Sequence, residues 1–317
     1  MRNRFASEIT RLGSENSKIV LLSGDIGNNL FNNFKEQQNE RFINCGIAEA
    51  NMMGMAAGLA MSGLRPVVYT ITPFTTTRCL EQIRVDVCYH HVPVVIVGTG
   101  SGLAYAELGP THHSCEDVSF LRSLPGMTVF CPADPLELAL GLEAALEHDG
   151  PVYIRLGKKG EPVLHATRPD FALGKAITLK EGKELCLIST GTITEVAMQS
   201  AKRLEAAGIS TRVESFHTVK PLDTERLREI FYNYPLVATI EEHSRIGGLF
   251  GAIAEWYAEE GGALARIVPF AVKDEFLHEV GTQEIARERF GLTEENIAQS
   301  LIDRMRGQYA NVLHKRV

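Results

Sequence analysis

The sequence predicts an α/β protein of two domains, each a mostly parallel sheet with helices on both faces. Three observations lead there. Short apolar, β-rich runs alternate with helical patterns, which is how covered parallel sheets read. The chain has 317 residues, enough for two domains of ordinary size. A polar stretch with few periodic residues, Gly157 to Asp170, separates one such series from a second. The expected division is a first domain over 1–160, a linker over 161–174, a second domain over 175–307 and a frayed tail over 308–317.

In the first series, strands are expected at Ile19 to Ser23, Phe42 to Cys45, Pro66 to Ile71, Val94 to Val97, Thr128 to Cys131 and Val152 to Ile154. Helical patterns fall at Cys79 to Tyr89 and Leu136 to Leu146. The second series opens with a strand at Leu185 to Ile188. A helix over Thr194 to Ala207 follows, with Gly208 suited to end it. Strands at Arg212 to Phe216, Val237 to Ile240 and Ile267 to Val272 come next. An amphipathic helix, opened by Thr293 and an acid pair, is expected to run to Met305.

Composition narrows the function classes. A formal charge of −7 without a basic stripe argues against nucleic-acid binding. No window approaches the apolar length of a membrane span, and Met1 to Glu8 lacks the apolar core of a signal peptide. The six cysteines have no metal-ligand spacing, and several sit in apolar runs, so they read as reduced core residues. A reducing, cytoplasmic setting is the expectation.

Ile43 to Asn51 carries the most information. It reads as a buried strand, a Gly-Ile-Ala turn, and one acid, Glu49, at the mouth of the small apolar helix Met52 to Met61. Such an acid complements a helix dipole or serves something outside the chain. About sixty residues on stands Glu107-Leu108-Gly109-Pro110-Thr111-His112-His113, and between the two lies Arg65 to Phe74. In the same order follow Phe120 to Pro125, Pro132-Ala133-Asp134, Gly150 to Arg155, Lys220-Pro221-Leu222-Asp223, Ile240-Glu241-Glu242-His243 and Gly247-Gly248. With these motifs the chain resembles the transketolase family from about Ser17 to Arg306, and specifically its pyrimidine-binding and C-terminal domains.

The resemblance implies a thiamine diphosphate-binding fold and that cofactor. Glu49 matches the carboxyl that hydrogen-bonds the cofactor's pyrimidine, and burial beside an apolar helix suits a group that shares a proton. Phe74 matches the aromatic that stacks on the ring. Ile71 stands where many members carry a second aromatic, and Ile47 lies in the turn before Glu49; both are expected on the cofactor side. His112 matches a histidine facing substrate hydroxyls, where a neutral imidazole both donates and accepts, and His113 follows it. Arg155 matches an arginine that binds the acceptor phosphate, with an ion-paired strand-end arginine as the other reading. Arg78 is expected at a polar substrate group or in solvent. His243, beside a Gly-Gly turn, reads as an interface residue.

Two departures stand out. Leu108 replaces an Asp common before Gly-Pro-Thr-His, and Gly100 replaces a site histidine. Both remove polar groups on the substrate side and leave the cofactor side intact, so the donor or acceptor is expected to differ from the usual sugar-phosphate pair. Full-length members also carry a diphosphate domain that holds Mg2+. Ser23 to Asn29 is similar to its Gly-Asp-Gly motif only superficially, lies in the wrong place in the family order, and is read as a loop. No metal ligand is therefore assigned to this chain. A separate N-terminal subunit is expected to supply the Mg2+ and diphosphate grip, in a two-plus-two heterotetramer acting on sugars or sugar phosphates. The competing readings are a 2-oxo acid dehydrogenase beta subunit, a decarboxylating carboligase similar to deoxyxylulose-phosphate synthase, and a non-catalytic assembly subunit.

Overall fold

The computed structural model describes the chain apart from residues 28, 159, 263–264 and 315–317, and apart from the side chains of 307–314. The first sheet has seven strands in the order β10-β5-β6-β4-β3-β1-β2. They are β1 (Ile19–Ser23), β2 (Phe42–Asn44), β3 (Arg65–Ile71), β4 (Val95–Thr99), β5 (Thr128–Phe130), β6 (Val152–Arg155) and β10 (Thr218–Lys220). All pair in parallel except β10, which runs antiparallel to β5. The second sheet has five strands in the order β12-β11-β8-β9-β7. They are β7 (Ile177–Lys180), β8 (Leu185–Thr190), β9 (Thr211–Ser215), β11 (Leu236–Ser244) and β12 (Arg266–Val272), with only β7 antiparallel. The architecture is the α/β one that the alternation of runs predicts.

The interior strands are buried because both faces are covered. β1, β4 and β6 are buried at every residue. On one face of the first sheet lies the helix Arg2–Glu15 with Phe5, Ile9 and Leu12 packed on Leu21, Tyr69 and Val97. Helix Glu49–Met61 covers the other with Met52, Met53 and Ala56. That second face shares its core with the second domain, since Val129 and Cys131 lie in the same apolar cluster as Phe216, Val219 and Trp256.

Several expectations change. β2 is an edge strand and only partly buried, because it has β1 on one side and, among the described residues, no strand on the other. The helix expected over Cys79 to Tyr89 is a 3-10 turn (Thr77–Cys79), one α-turn (Leu80–Gln82) and a π-helical stretch (Ile83–Tyr89). The closing helix runs Glu294–His314, past the Met305 end read from the sequence, so its backbone enters the stretch expected to fray. Helix Thr194–Ala206 ends before Gly208, which takes φ +82°. Among the described residues no helix is long and apolar enough to cross a membrane.

The domains are locked together by a buried polar network. Arg155, at the end of β6, donates from Nε to Asp117 Oδ2 at 2.8 Å and from Nη2 to the carbonyls of Ser114 (2.9 Å) and Glu242 (3.0 Å). Tyr153 donates its hydroxyl hydrogen to Asp117 at 2.6 Å. Burial opposes the charge on Asp117, yet Arg155 and His243 hold its carboxyl below the ordinary range. His243 is the junction residue that its Gly-Gly neighbourhood suggests, with Nε2 3.9 Å from Asp117 Oδ1.

This junction carries a pH signature. Burial, against the pull of Asp117, depresses His243 to about 4. The unfolded chain binds this proton near pH 6.5 and the folded chain only near 4, so stability present above 6.5 is lost as pH falls through 4. Burial also pushes Glu241 up to about 7, although it accepts hydrogen bonds from Leu249 and Phe250 N–H. The Glu241 contribution has the opposite sign: present below 4.5, lost as pH rises through 7. The two effects therefore offset each other in the native chain. Replacing His243 with Gln removes only the acid-side loss. Relative to wild type, His243→Gln should gain about 3 kcal/mol as pH falls from 7 to 4. Denaturant midpoints across that range check it, and a gap that does not move with pH rejects it.

Candidate active site

The site grows from the ends of β2 and β3, where the chain leaves the sheet at the carboxyl ends of parallel strands. β2 ends at Asn44, whose Oδ1 accepts from Gly46 N–H at 3.0 Å and tightens the turn. Gly46 takes φ +68°, a conformation that costs glycine little. The turn delivers Glu49 as the first residue of its helix, 3% exposed. A Cβ on Gly24 would lie 3.0 Å from Thr70 Oγ1 and 3.4 Å from Glu49 Cγ, so a bare glycine lets these groups close up. Thr70 Oγ1 and Thr75 Oγ1 are buried and, among the described residues, without a hydrogen-bond partner.

β3 runs into the turn Thr72–Thr75, which carries Phe74. Four residues on, Arg78 donates from Nη1 to Glu49 Oε2 at 2.8 Å, and its guanidinium carbon lies 4.3 Å from the Phe74 ring centroid. Phe74 meets His112 edge-to-face at 5.3 Å and 72°. Glu49, Phe74, Arg78 and His112 thus converge from three separate segments. His112 Nδ1 lies 3.0 Å from Thr111 Oγ1, which leaves Nε2 for a ligand.

The loop that carries His112 is fixed at its base. Gly102 and Ser114 exchange backbone hydrogen bonds at 2.9 Å, and Glu242 of β11 accepts from Leu103 N–H at 2.7 Å. Glu242 is itself held by Gln283 and by an ion pair to Arg287. The second domain therefore shapes the loop from behind.

Three residues expected at the substrate have protein surroundings of their own. Arg155 is 4% exposed, with Nε on Asp117 and Nη2 on two carbonyls; this is the ion-paired reading of the residue, and it anchors the loop. His113 lines a cavity of about 170 Å³ between the domains, with Leu103, Cys115, Lys273 and Phe276. Burial lowers its pKa. Arg78 engages Glu49 and the Phe74 ring.

The remaining residues sit around the cluster. Ile71 lines a cleft of about 300 Å³ with Arg2, Tyr69 and Tyr105. Ile47 is 77% exposed, and Met55 and Met61 are exposed along the helix that Glu49 opens. Leu108 is 48% exposed beside the Gly109 turn. Asp25, in the Gly-Asp loop, accepts from Asn44 Nδ2 at 2.9 Å, while Asn28 lies outside the described residues. Among the described residues no group of three His, Cys, Asp or Glu side chains is arranged so that it could hold a metal ion.

Sequence reasoning missed Tyr105. Its ring occupies the space a side chain at Gly100 would need, 1.8 Å from an ideal Cβ there, and it lies 6.4 Å from the His112 ring. Gly100 at φ +73° is thus both a turn and a seat for Tyr105. The pairing of a small residue with an aromatic five positions on was visible, but nothing in the sequence said that they touch.

A buried acid, an adjacent half-exposed aromatic and orphaned hydroxyls form a seat for a flat, nitrogen-bearing ring. Thiamine diphosphate's aminopyrimidine fits that donor set: Glu49 would hold the ring nitrogen and Phe74 its face. Such a fit is the one expected of a thiamine diphosphate-dependent family, and sequence comparison identifies the family. Residues 1–161 match the transketolase pyrimidine-binding domain and residues 174–297 the transketolase C-terminal domain. The chain belongs to the transketolase family.

Its relatives include proteins named as transketolase subunits. It is 36% identical to the 6-deoxy-6-sulfo-D-fructose transketolase subunit of Clostridium sp. (strain MSTE9), over 95% of this chain and 92% of the relative. It is 34% identical to one of the subunits of the apulose-4-phosphate transketolase of Phocaeicola vulgatus, over 95% of this chain and 96% of the relative. Among solved structures, a split-gene transketolase described as an inactive beta4 tetramer superposes with TM-score 0.87 at 37% identity, over 95% of this chain and 97% of that one.

Proposed function

We propose that this chain is the C-terminal subunit of a split, thiamine diphosphate-dependent transketolase that moves a two-carbon ketol unit from a ketose-type donor to an aldehyde or ketone acceptor. The observation that carries the reading is the convergence of Glu49, Phe74 and His112 in one cluster. When bound, the cofactor supplies the nucleophilic carbon that carries the two-carbon unit. Glu49 offers a carboxyl to the pyrimidine nitrogen, and Phe74 fixes the ring and keeps water from one face. His112 presents Nε2 to substrate hydroxyls and can donate or accept a proton there.

Diphosphate and Mg2+ are assigned to an N-terminal partner subunit, in a two-plus-two assembly. The exposed Ile47, two residues before Glu49, leaves an apolar side chain at the rim of the site for a covering chain. The six unpaired cysteines suit a reducing cytoplasm. An atypical donor or acceptor belongs to the reading. Leu108 and the Tyr105-covered Gly100 put apolar and aromatic groups where polar side chains stand in other members, and the named relatives act on a sulfo-sugar and on apulose 4-phosphate.

Calorimetry with thiamine diphosphate and Mg2+ tests the reading, using this chain alone and mixed with its N-terminal subunit. Binding is expected in the mixture and not with the single chain. Tight binding by the chain alone would overturn the split site, and no binding in either case would overturn the cofactor.

A further inference from the structure

Arg78 makes two contacts at once, and both are to groups that face the cofactor. Its Nη1 engages only Oε2 of Glu49, at 2.8 Å. Among the described residues Oε1 has no hydrogen-bond partner, and it is not a buried orphan, so it is the oxygen left open at the site. The same guanidinium lies against the Phe74 ring at 4.3 Å. Arg78 itself is 46% exposed while Glu49 is 3% exposed, so the cation reaches inward from the rim to grip an otherwise buried acid. The four-residue spacing from Phe74 to Arg78 brings ring and cation together in one short helical segment.

We propose that Arg78 is a positioning residue of the cofactor site: it fixes one carboxylate oxygen of Glu49 and backs the Phe74 ring, so that the second oxygen and the ring are held in register for the pyrimidine. This rests on the function proposed above. A carboxyl rotates freely about its last bond unless one oxygen is held, and a ring at a loop tip tilts unless something flat lies on it. A planar guanidinium does both. Lysine offers only a point charge, so it would keep a cation near Glu49 but lack the flat face laid against the ring. The role also differs from substrate binding, because the groups Arg78 holds are not those that meet the sugar.

The test uses the reconstituted two-subunit enzyme with Arg78→Met and Arg78→Lys. Thiamine diphosphate affinity is read by calorimetry and substrate KM at saturating cofactor. A half-exposed ion pair and a cation–ring contact together predict cofactor affinity on the order of 10-fold weaker in Arg78→Met, with Arg78→Lys between it and wild type. Substrate KM should stay at the wild-type value in both. Unchanged affinity would make Arg78 a solvated surface group. Tighter affinity would mean that it occupies the ring's own place, and a raised substrate KM with intact cofactor affinity would return it to the substrate side; each overturns the proposal. Should Arg78→Met fail to fold, Arg78→Lys alone decides by the same two readings. Failure of the wild-type pair to bind the cofactor would defeat the function reading itself, and the proposal with it.

Discussion

Replacing Glu49 with Gln should lower turnover of the reconstituted enzyme by roughly 10²–10⁴-fold while leaving the fold intact. The two halves of that expectation have different origins. Gln keeps the shape and one acceptor oxygen but can neither ionise nor hold a shared proton, so the support for the pyrimidine nitrogen is lost. The structural cost is small because, among the described residues, the only ion pair removed is to Arg78, which is 46% exposed. Such pairs contribute about 0–1 kcal/mol. Steady-state kinetics at saturating cofactor and a thermal melt, made side by side, separate the two. Turnover retained in Glu49→Gln would remove Glu49 from the chemistry. A collapsed melt would show that its role is to hold the helix start, the dipole reading of the same acid.

Arg155→Met should do the reverse, destabilising the chain by about 3–5 kcal/mol because it strips the partner from a buried carboxylate. Asp117 is 1% exposed and would be left with the Tyr153 hydroxyl, while the Ser114 and Glu242 carbonyls would lose a donor. Activity should fall as well, through the loop that Arg155 anchors. Its hydrogen bond to Ser114 anchors the strand-like base of the loop that ends in His112, and slackening that base misplaces the imidazole. The pattern of loss is diagnostic. A phosphate-binding arginine, when removed, raises the KM for a phosphorylated acceptor and leaves the melt unchanged. An anchoring arginine lowers the melting temperature and kcat together. Replacing Asp117 and Arg155 together by apolar residues should recover part of the stability, because no uncompensated charge then remains buried.

Much of this protein was legible in order. The alternation of apolar runs and helical patterns determined two covered parallel sheets, and most strands lie within a residue or two of where the runs put them. The reason is local: burial on both faces demands continuous apolar stretches, and these are visible one segment at a time. The candidate site was legible in part for a similar reason. Glu49 is marked by its helix, and Phe74 and His112 by the motifs around them, so each could be named without knowing that the others lie beside it.

Tertiary structure alone decided the rest. β10 lies in the second half of the chain yet completes the first sheet, because an edge strand of three residues carries too little pattern to announce its partner. Arg155 takes the ion-paired one of its two readings, and Arg78 turns to an acid and a ring, for the same cause. An arginine's type says that it seeks carboxylates and carbonyls, but which ones it finds depends on chain segments far away in sequence. Asp117 and Glu242 claim the first, and Glu49 claims the second. Tyr105 fills the space above Gly100 because the loop turns back on itself. The sequence by itself determined which chemistry the chain carries and which sheets present it. Only the folded chain decided which charged groups remain free for a ligand, since that depends on long-range partners competing for each of them.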